Sequence, residues 1–338
     1  MRQTSFRRAL AAASLTAAAA LTLSACSGSS EATDSADATV EKVTIGISQL
    51  VQHPALDSAT EGFKQAFIDA GYVEGETVEF DLQNANGEQA TAVSIAQGFA
   101  SSDADLVLAV ATPAAQAAAQ AITDKPVLFT AVTDAVTAEL VDSNAKPGGN
   151  VTGTSDAVPE DALQAQFELI KELVPDAATV GIVYASGEVN SEVQVAAAEK
   201  VAAGLDLEIV TKTVTTANDI AQATEALGDV DAIYVPTDNM VVGGISSLVQ
   251  VAEEKQIPVI GAEAGTVEGG AIATLGIDYT ELGRQTGEMA IRILKGEDPA
   301  KTPVEFATEL AYVVNPGAAE RMGVEIPQDI LDQAETVG

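Results

Sequence analysis

"ADLVLAVATPAAQAAAQAITDKPVLFTA" runs from Ala104 to Ala131, and "VDAIYVPTDNMVVGGISSLVQVAEEKQIPVIGA" runs from Val230 to Ala262. Laid side by side, the two share one grammar. Each has an Asp before a short branched apolar run, Asp105 or Asp231, and each run ends at a Thr, Thr112 or Thr237. A helix-like stretch follows, then a proline, Pro126 or Pro258, ahead of a second apolar run. Short apolar runs alternating with helical stretches predict parallel strands covered on both faces. Their recurrence predicts two domains of similar topology.

The same alternation extends outward from both segments. In the first half, strands are expected over 42–50, 77–85, 103–112 and 125–134. After the first of them Leu56, Ala59, Phe63, Ala66 and Phe67 fall on one helical face. The stretch 113–122 suits a helix that tolerates Pro113 in its first turn. In the second half, strands are expected over 177–184, 205–214, 230–239 and 257–263, with helices over 188–204, 216–227 and 241–255. The expected fold class is α/β, with two Rossmann-like lobes built on parallel sheets. Open sheets of this kind bind ligands at the carboxyl ends of their strands. Two facing sheets would line a cleft with those loops.

The first residues point to export. "MRQTSFRRALAAASLTAAAALTLSAC" carries Arg2, Arg7 and Arg8, then an alanine-rich apolar run that ends at Leu23-Ser24-Ala25-Cys26. That order resembles a signal peptide (1–25) with the lipobox of bacterial lipoproteins, in which the cysteine carries the lipid. Residues 26–41 are small and polar and read as a flexible tether. Without the signal, 13 basic residues face 50 acidic ones, a net charge of about −37. A phosphate backbone needs a positive surface, so no nucleic-acid partner is expected. Contact with a membrane is expected through the lipid anchor only.

Catalysis has little to work with. His53 is the lone histidine and Cys26 the lone cysteine, so a zinc site of the usual composition is impossible. A serine triad would use His53 as its base, yet the chain has no G-x-S-x-G turn. His53 precedes Pro54, which favours extended backbone and a helix start just afterwards. It reads as a loop or cleft-wall residue or a solvent-facing one, and no enzyme, cofactor or metal is expected.

Several stretches together resemble one family: "GISQLVQHPALDSATEGFKQAFIDAGY" from Gly46, "ATPAAQAAA" from Ala111, "VLFTAVTDAV" from Val127, "GGNVTGTSDAV" from Gly148, "IYVPTDNMV" from Ile233 and "GIDYTELGRQTGEMAIRILKGEDP" from Gly276. They resemble the TrpX-like solute-binding lipoproteins of bacterial ABC importers, which have the type I periplasmic-binding-protein architecture. The resemblance implies two lobes joined by a three-strand hinge, a monomer, and partnership with a permease and its cytoplasmic ATPase. It implies crossings near 155–159, 278–280 and 299–303, which puts 42–157 and 279–299 in lobe 1 and 158–278 and 300–335 in lobe 2. Leu282, Thr286, Met289 and Ile293 would then form a packed face, and Asp278 a helix cap. The location implied is the outer face of a Gram-positive cell membrane. A ligand-sensing surface lipoprotein, or a receptor for a sugar or nucleoside, would use the same fold.

The solute that the resemblance implies is an amino acid, aromatic such as tryptophan or phenylalanine, or branched. A zwitterion needs donors for its carboxylate and an acceptor for its ammonium. Gln49, Thr112, Thr130, Ala131 and Thr133 lie on strand ends or helix starts of the first half and are donor candidates, the threonines being equally capable of capping. Asp238, then Asp156 and Glu263, are candidates for the ammonium, and Asn190 and Asn239 for either end. Leu50, Tyr184 and Tyr234 are candidates for an apolar floor.

Overall fold

Apolar runs buried on both faces set the architecture. The computed structural model describes residues 42–307 and 310–338. The expected signal peptide, the lipidation at Cys26 and the tether to residue 41 lie outside the described residues. The first half comprises β1 (Val43–Gln49), α1 (Pro54–Asp69), β2 (Val78–Asn84), α2 (Gln89–Ala100), β3 (Leu106–Val110), α3 (Thr112–Ala121), β4 (Val127–Thr130) and β5 (Val151–Ser155). The second half opens with α4 (Glu160–Leu173), β6 (Thr179–Ala185), α5 (Val189–Gly204), β7 (Glu208–Val214), α6 (Ile220–Glu225) and β8 (Ala232–Val235). It continues through α7 (Asn239–Gly243), α8 (Ile245–Lys255), β9 (Val259–Gly261), α9 (Ala264–Glu268) and β10 (Ala273–Ile277). Then come α10 (Tyr279–Leu294), β11 (Glu305–Phe306), β12 (Leu310–Val314), α11 (Pro316–Arg321), α12 (Gln328–Leu331) and β13 (Glu335–Thr336). Among the described residues no helix is long and apolar enough to cross a membrane.

Two sheets result, one per lobe. The first has the order β11-β5-β4-β3-β1-β2 and the second β13-β12-β10-β9-β8-β6-β7. Read from β2 and from β7, the two begin with the same order of strands, so the resemblance between the quoted segments is one of topology. All pairings are parallel except β10 with β12. Every residue of β3, β4 and β8 is buried, as strands sandwiched between helices must be. The edge strands β2 and β7 are mostly half-buried or exposed. Each lobe has its own apolar core: Phe63, Phe67 and Phe99 with β3 and β4 in the first, Phe167 and Tyr234 with β6 and β9 in the second.

The chain passes between the lobes where β5 ends at Ser155 and α4 joins the second core through Leu163, Phe167 and Ile170. It returns after β10, where Asp278 accepts a hydrogen bond from the Glu281 N–H at 3.1 Å and caps α10. Leu282, Thr286, Met289 and Ile293 are all buried. The third passage comes later than expected. Residues 300–306 run along the first sheet: Gly148 N–H donates to Ala300 O (3.1 Å), Val304 N–H to Asn144 O (2.8 Å), and β11 pairs with β5. Only β12 rejoins the second sheet. The elements α2, α4, α9, α11, α12, β5 and β10 to β13 have no counterpart among the strands and helices expected from sequence, and the helix expected over 241–255 divides at Gly244 into α7 and α8.

A glycine seam fixes one helix pair. A Cβ at Gly62 would overlap the Thr280 carbonyl, and one at Gly283 the Ala59 carbonyl. The backbones of α1 and α10 therefore touch, and the two helices pack as a unit. One starts at the cleft, the other at a crossing.

Candidate functional site

The loops at the carboxyl ends of both sheets converge on one small cavity. From the first lobe come His53, Ala55 and Leu56 after β1, Ala131 and Thr133 after β4, and Asp156 after β5. From the second come Asn190 after β6, Thr237, Asp238, Asn239 and Val242 after β8, and Glu263 after β9. Tyr279 enters from the start of α10. Thr133 Oγ1 and Thr237 Oγ1 meet across the lobes at 3.5 Å. No lysine or arginine lines the cavity.

Its acids differ in what they are free to do. Asp156 accepts from Thr133 Oγ1 (3.0 Å) and Tyr279 OH (2.8 Å), so one carboxylate at the first crossing ties the start of α10 to the loop after β4. Burial pushes its carboxyl above the usual range, and burial together with the Asp156 charge pushes the Tyr279 phenol up as well. Glu263 Oε2 accepts from the Gly265 N–H at 2.6 Å, while Oε1 is buried with no partner in the protein. Burial, with smaller contributions from Glu268 and Asp156, raises Glu263 to about 7. A Cβ at Gly265 would lie 3.0 and 3.2 Å from the Glu263 oxygens and 3.3 Å from Ala55 N. The uncapped start of α1 therefore sits beside that carboxylate.

Asp238, the first candidate for the ammonium, is already committed. Its Oδ2 accepts from Ala185 N–H and Ser191 Oγ, both at 2.6 Å, and its Oδ1 from Val241 N–H at 2.8 Å. It caps α7 and ties β6 to β8. His53 is buried in extended backbone as the residue before α1, and both ring nitrogens lack a hydrogen-bonding partner. Desolvation lowers its pKa to about 4, opposed weakly by Asn239, so the ring is neutral.

Seven of the residues expected from sequence come together here: Ala131, Thr133, Asp156, Asn190, Asp238, Asn239 and Glu263. Six do not line the cavity. Gln49 braces the turn after β1, donating to Val51 O (2.9 Å) and Asp57 Oδ1 (2.6 Å) and accepting from Thr60 Oγ1 (2.8 Å). Leu50 walls a neighbouring groove with Glu88, Pro113 and Met240. Thr112 opens α3 with its hydroxyl buried and unpartnered, and Thr130 Oγ1 accepts from Thr154 Oγ1 inside the lobe at 3.1 Å. Tyr184 packs half-buried against the second core. Tyr234, offered as a floor, is fully buried and donates to Gln166 Oε1 at 2.8 Å.

Tyr279 and Glu188 were not anticipated. Tyr279 directly follows the cap Asp278, so its place beside the cleft follows from the position of the crossing. Glu188 is buried and gathers Asn190 Nδ2 (3.0 Å), Asn239 Nδ2 (2.5 Å) and the N–H groups of Asn239 (3.2 Å) and Met240 (3.1 Å). Burial, with the Asp238 charge added, raises its carboxyl to about 7 against the pull of those donors.

Comparison with known proteins bears on this geometry. A tyrosine-binding protein of Clostridioides difficile (strain R20291) is 43% identical over 290 residues, 86% of this chain and 83% of that one. A structure from Streptococcus pneumonia in complex with L-Trp is 36% identical, covers 88% of this chain and all of its own, and superposes with a TM-score of 0.84. The ligand-free, open structure of a substrate-binding protein with adhesive properties from Clostridium difficile is 44% identical over 87% of this chain and 99% of its own, with a TM-score of only 0.66. The neighbour nearer in sequence is thus farther in shape. That inversion matches a closed arrangement of the two lobes, as does the contact between Thr133 and Thr237. The profile of the family described as ABC transporter substrate binding protein matches residues 44–338, and the chain belongs to that family.

Proposed function

We propose that this chain is the extracytoplasmic receptor of an ABC importer and that it captures an aromatic L-amino acid, tyrosine or tryptophan, between its lobes. The observation that carries the reading is the unpartnered Glu263 Oε1 beside Asp156 in a buried cavity without a cationic side chain. The ammonium goes to Glu263 and Asp156. The carboxylate goes to the uncapped start of α1 at Ala55 and Leu56, where free N–H groups and the helix dipole favour an anion. Leu56, Ala131 and Val242 supply apolar walls for the ring. The names of the relatives that bind tyrosine and L-Trp support the same class of solute.

Calorimetry on unfolded, washed and refolded protein tests this. Tyrosine or tryptophan should bind saturably, and the matching amines or amides more weakly, since an unpaired buried charge costs about 2–5 kcal/mol. Glu263→Gln should weaken binding about 10- to 100-fold. Saturable binding of a sugar or nucleoside with no amino-acid response overturns the assignment.

Leu23-Ser24-Ala25-Cys26, outside the described residues, supports a lipid anchor on the outer face of the cell membrane. An intact mass of the membrane-derived protein should begin at an acylated Cys26. An unmodified Cys26 there rules the anchor out.

A further inference from the structure

An asparagine side chain is ambiguous until something fixes which end faces the ligand. At Asn190 that something is Glu188. Backbone N–H groups of Asn239 and Met240 reach its Oε2 and Oε1 and mark both oxygens as acceptors, so the amide ends turned towards them are the N–H2 ends. Glu188 Oε2 accepts from Asn190 Nδ2 at 3.0 Å, Asn239 Nδ2 at 2.5 Å and the Asn239 N–H at 3.2 Å, and its Oε1 from the Met240 N–H at 3.1 Å. Asn190 Nδ2 also donates to Thr237 O at 3.0 Å. The carbonyl oxygen of Asn190 is left buried, on a cavity-lining residue, with no partner in the protein. Glu188 itself does not line the cavity.

The topology places that oxygen across the cavity from Glu263. Glu263 follows β9 and Asn190 follows β6, two strands over, which is about 10 Å at the usual strand spacing. An aromatic amino acid held by its ammonium at Glu263 extends its ring along that direction. We propose that Glu188 is a positioning residue for specificity: it locks the Asn190 amide so that Oδ1 faces the cavity as a pure acceptor and selects solutes that present an N–H or O–H at the ring tip. The inference rests on the amino-acid reading given above. Tryptophan brings an indole N–H and tyrosine a phenol O–H, whereas phenylalanine brings neither. A phenylalanine ring would leave Asn190 Oδ1 without a partner, which a site built to hydrogen-bond a ligand tolerates poorly.

The test compares tryptophan, tyrosine and phenylalanine on stripped wild type, Glu188→Gln, Asn190→Ala and the double variant, by calorimetry or by displacement of a bound ligand. Glutamine offers a donor where glutamate offers only acceptors, so the Asn190 amide should turn its N–H2 end to the cavity. In Glu188→Gln, tryptophan should weaken at least 10-fold, tyrosine less because its hydroxyl can accept instead, and phenylalanine within about threefold. Asn190→Ala should erase the same preference, and adding Glu188→Gln to it should change nothing further. Equal losses for all three solutes in Glu188→Gln, or an unchanged preference for tryptophan over phenylalanine, overturns the proposal. Wild type that binds none of the three fails the amino-acid reading itself, and this one with it. The unchanged response to phenylalanine also certifies that each variant is folded.

Discussion

His53 offers a direct view of the cleft because it is the only imidazole in the chain. Its ordinary pKa is about 6.5, and burial between the lobes lowers it to about 4. The sign follows from proton counting. Between those values an unfolded or opened chain binds a proton that the closed form refuses. Closure therefore weakens as the pH falls from 6.5 towards 4, by up to about 1.4 kcal/mol per pH unit. Glu263, raised to about 7, acts in the opposite sense: its contribution is full below about 4.5 and is lost as the pH rises through 7. In an NMR titration the single imidazole should show a midpoint near 4 in solute-saturated protein and move up towards 6.5 after stripping. A midpoint of 6.5 in saturated protein would contradict the burial described. That Glu263 and Asn190 would lie beside the cavity was legible because each comes at the end of an expected strand or shortly after it, and Asp156 because it sits at an implied crossing. Asp238 meets the same criterion and yet is a cap. What separates it is Ala185 and Ser191, about fifty positions earlier, and no local pattern announces that contact.

The helix pair α1 and α10 meets through glycines, and that contact sets a mutational expectation. Gly283→Ala would gain up to about 1 kcal/mol of helix propensity in isolation. The added methyl would overlap the Ala59 carbonyl, so two backbones must part, and overpacking of that kind costs about 1–3 kcal/mol or more. The net outcome should be a lower midpoint in urea unfolding, and an unchanged or higher midpoint would show that the seam yields. Elements with strong contrast were readable. β3, β4 and β8 announce themselves as unbroken apolar runs. The helix α2 buries Ala92, Ile95, Ala96 and Phe99 on an alanine-rich background, and so small a difference between faces hides its period. By contrast α4 was legible and overlooked: Leu163, Phe167 and Ile170 lie at helical spacing behind Glu160 and Asp161 in the first turn. The two residues of β11 have no signature of their own, because their partner β5 lies about 150 positions away.

Both lobes and their shared strand order follow from patterns that repeat along the chain, which is why that part of the architecture was legible, whereas the crossings were implied only by the family resemblance. The third crossing was displaced because Pro299 and Pro303 mark a turn, and a turn does not say which sheet the chain joins next. The closed form carries a further consequence. Shutting the cleft without a solute would strand Glu263 Oε1 and Asn190 Oδ1 away from water. Each such group costs about 1–3 kcal/mol, so together they hold the unloaded closed form to a small minority of the population. A membrane partner that recognises the shut outline would then meet cargo at nearly every encounter. Unloaded copies, however numerous, would neither occupy the port nor trigger an idle turn of its motor.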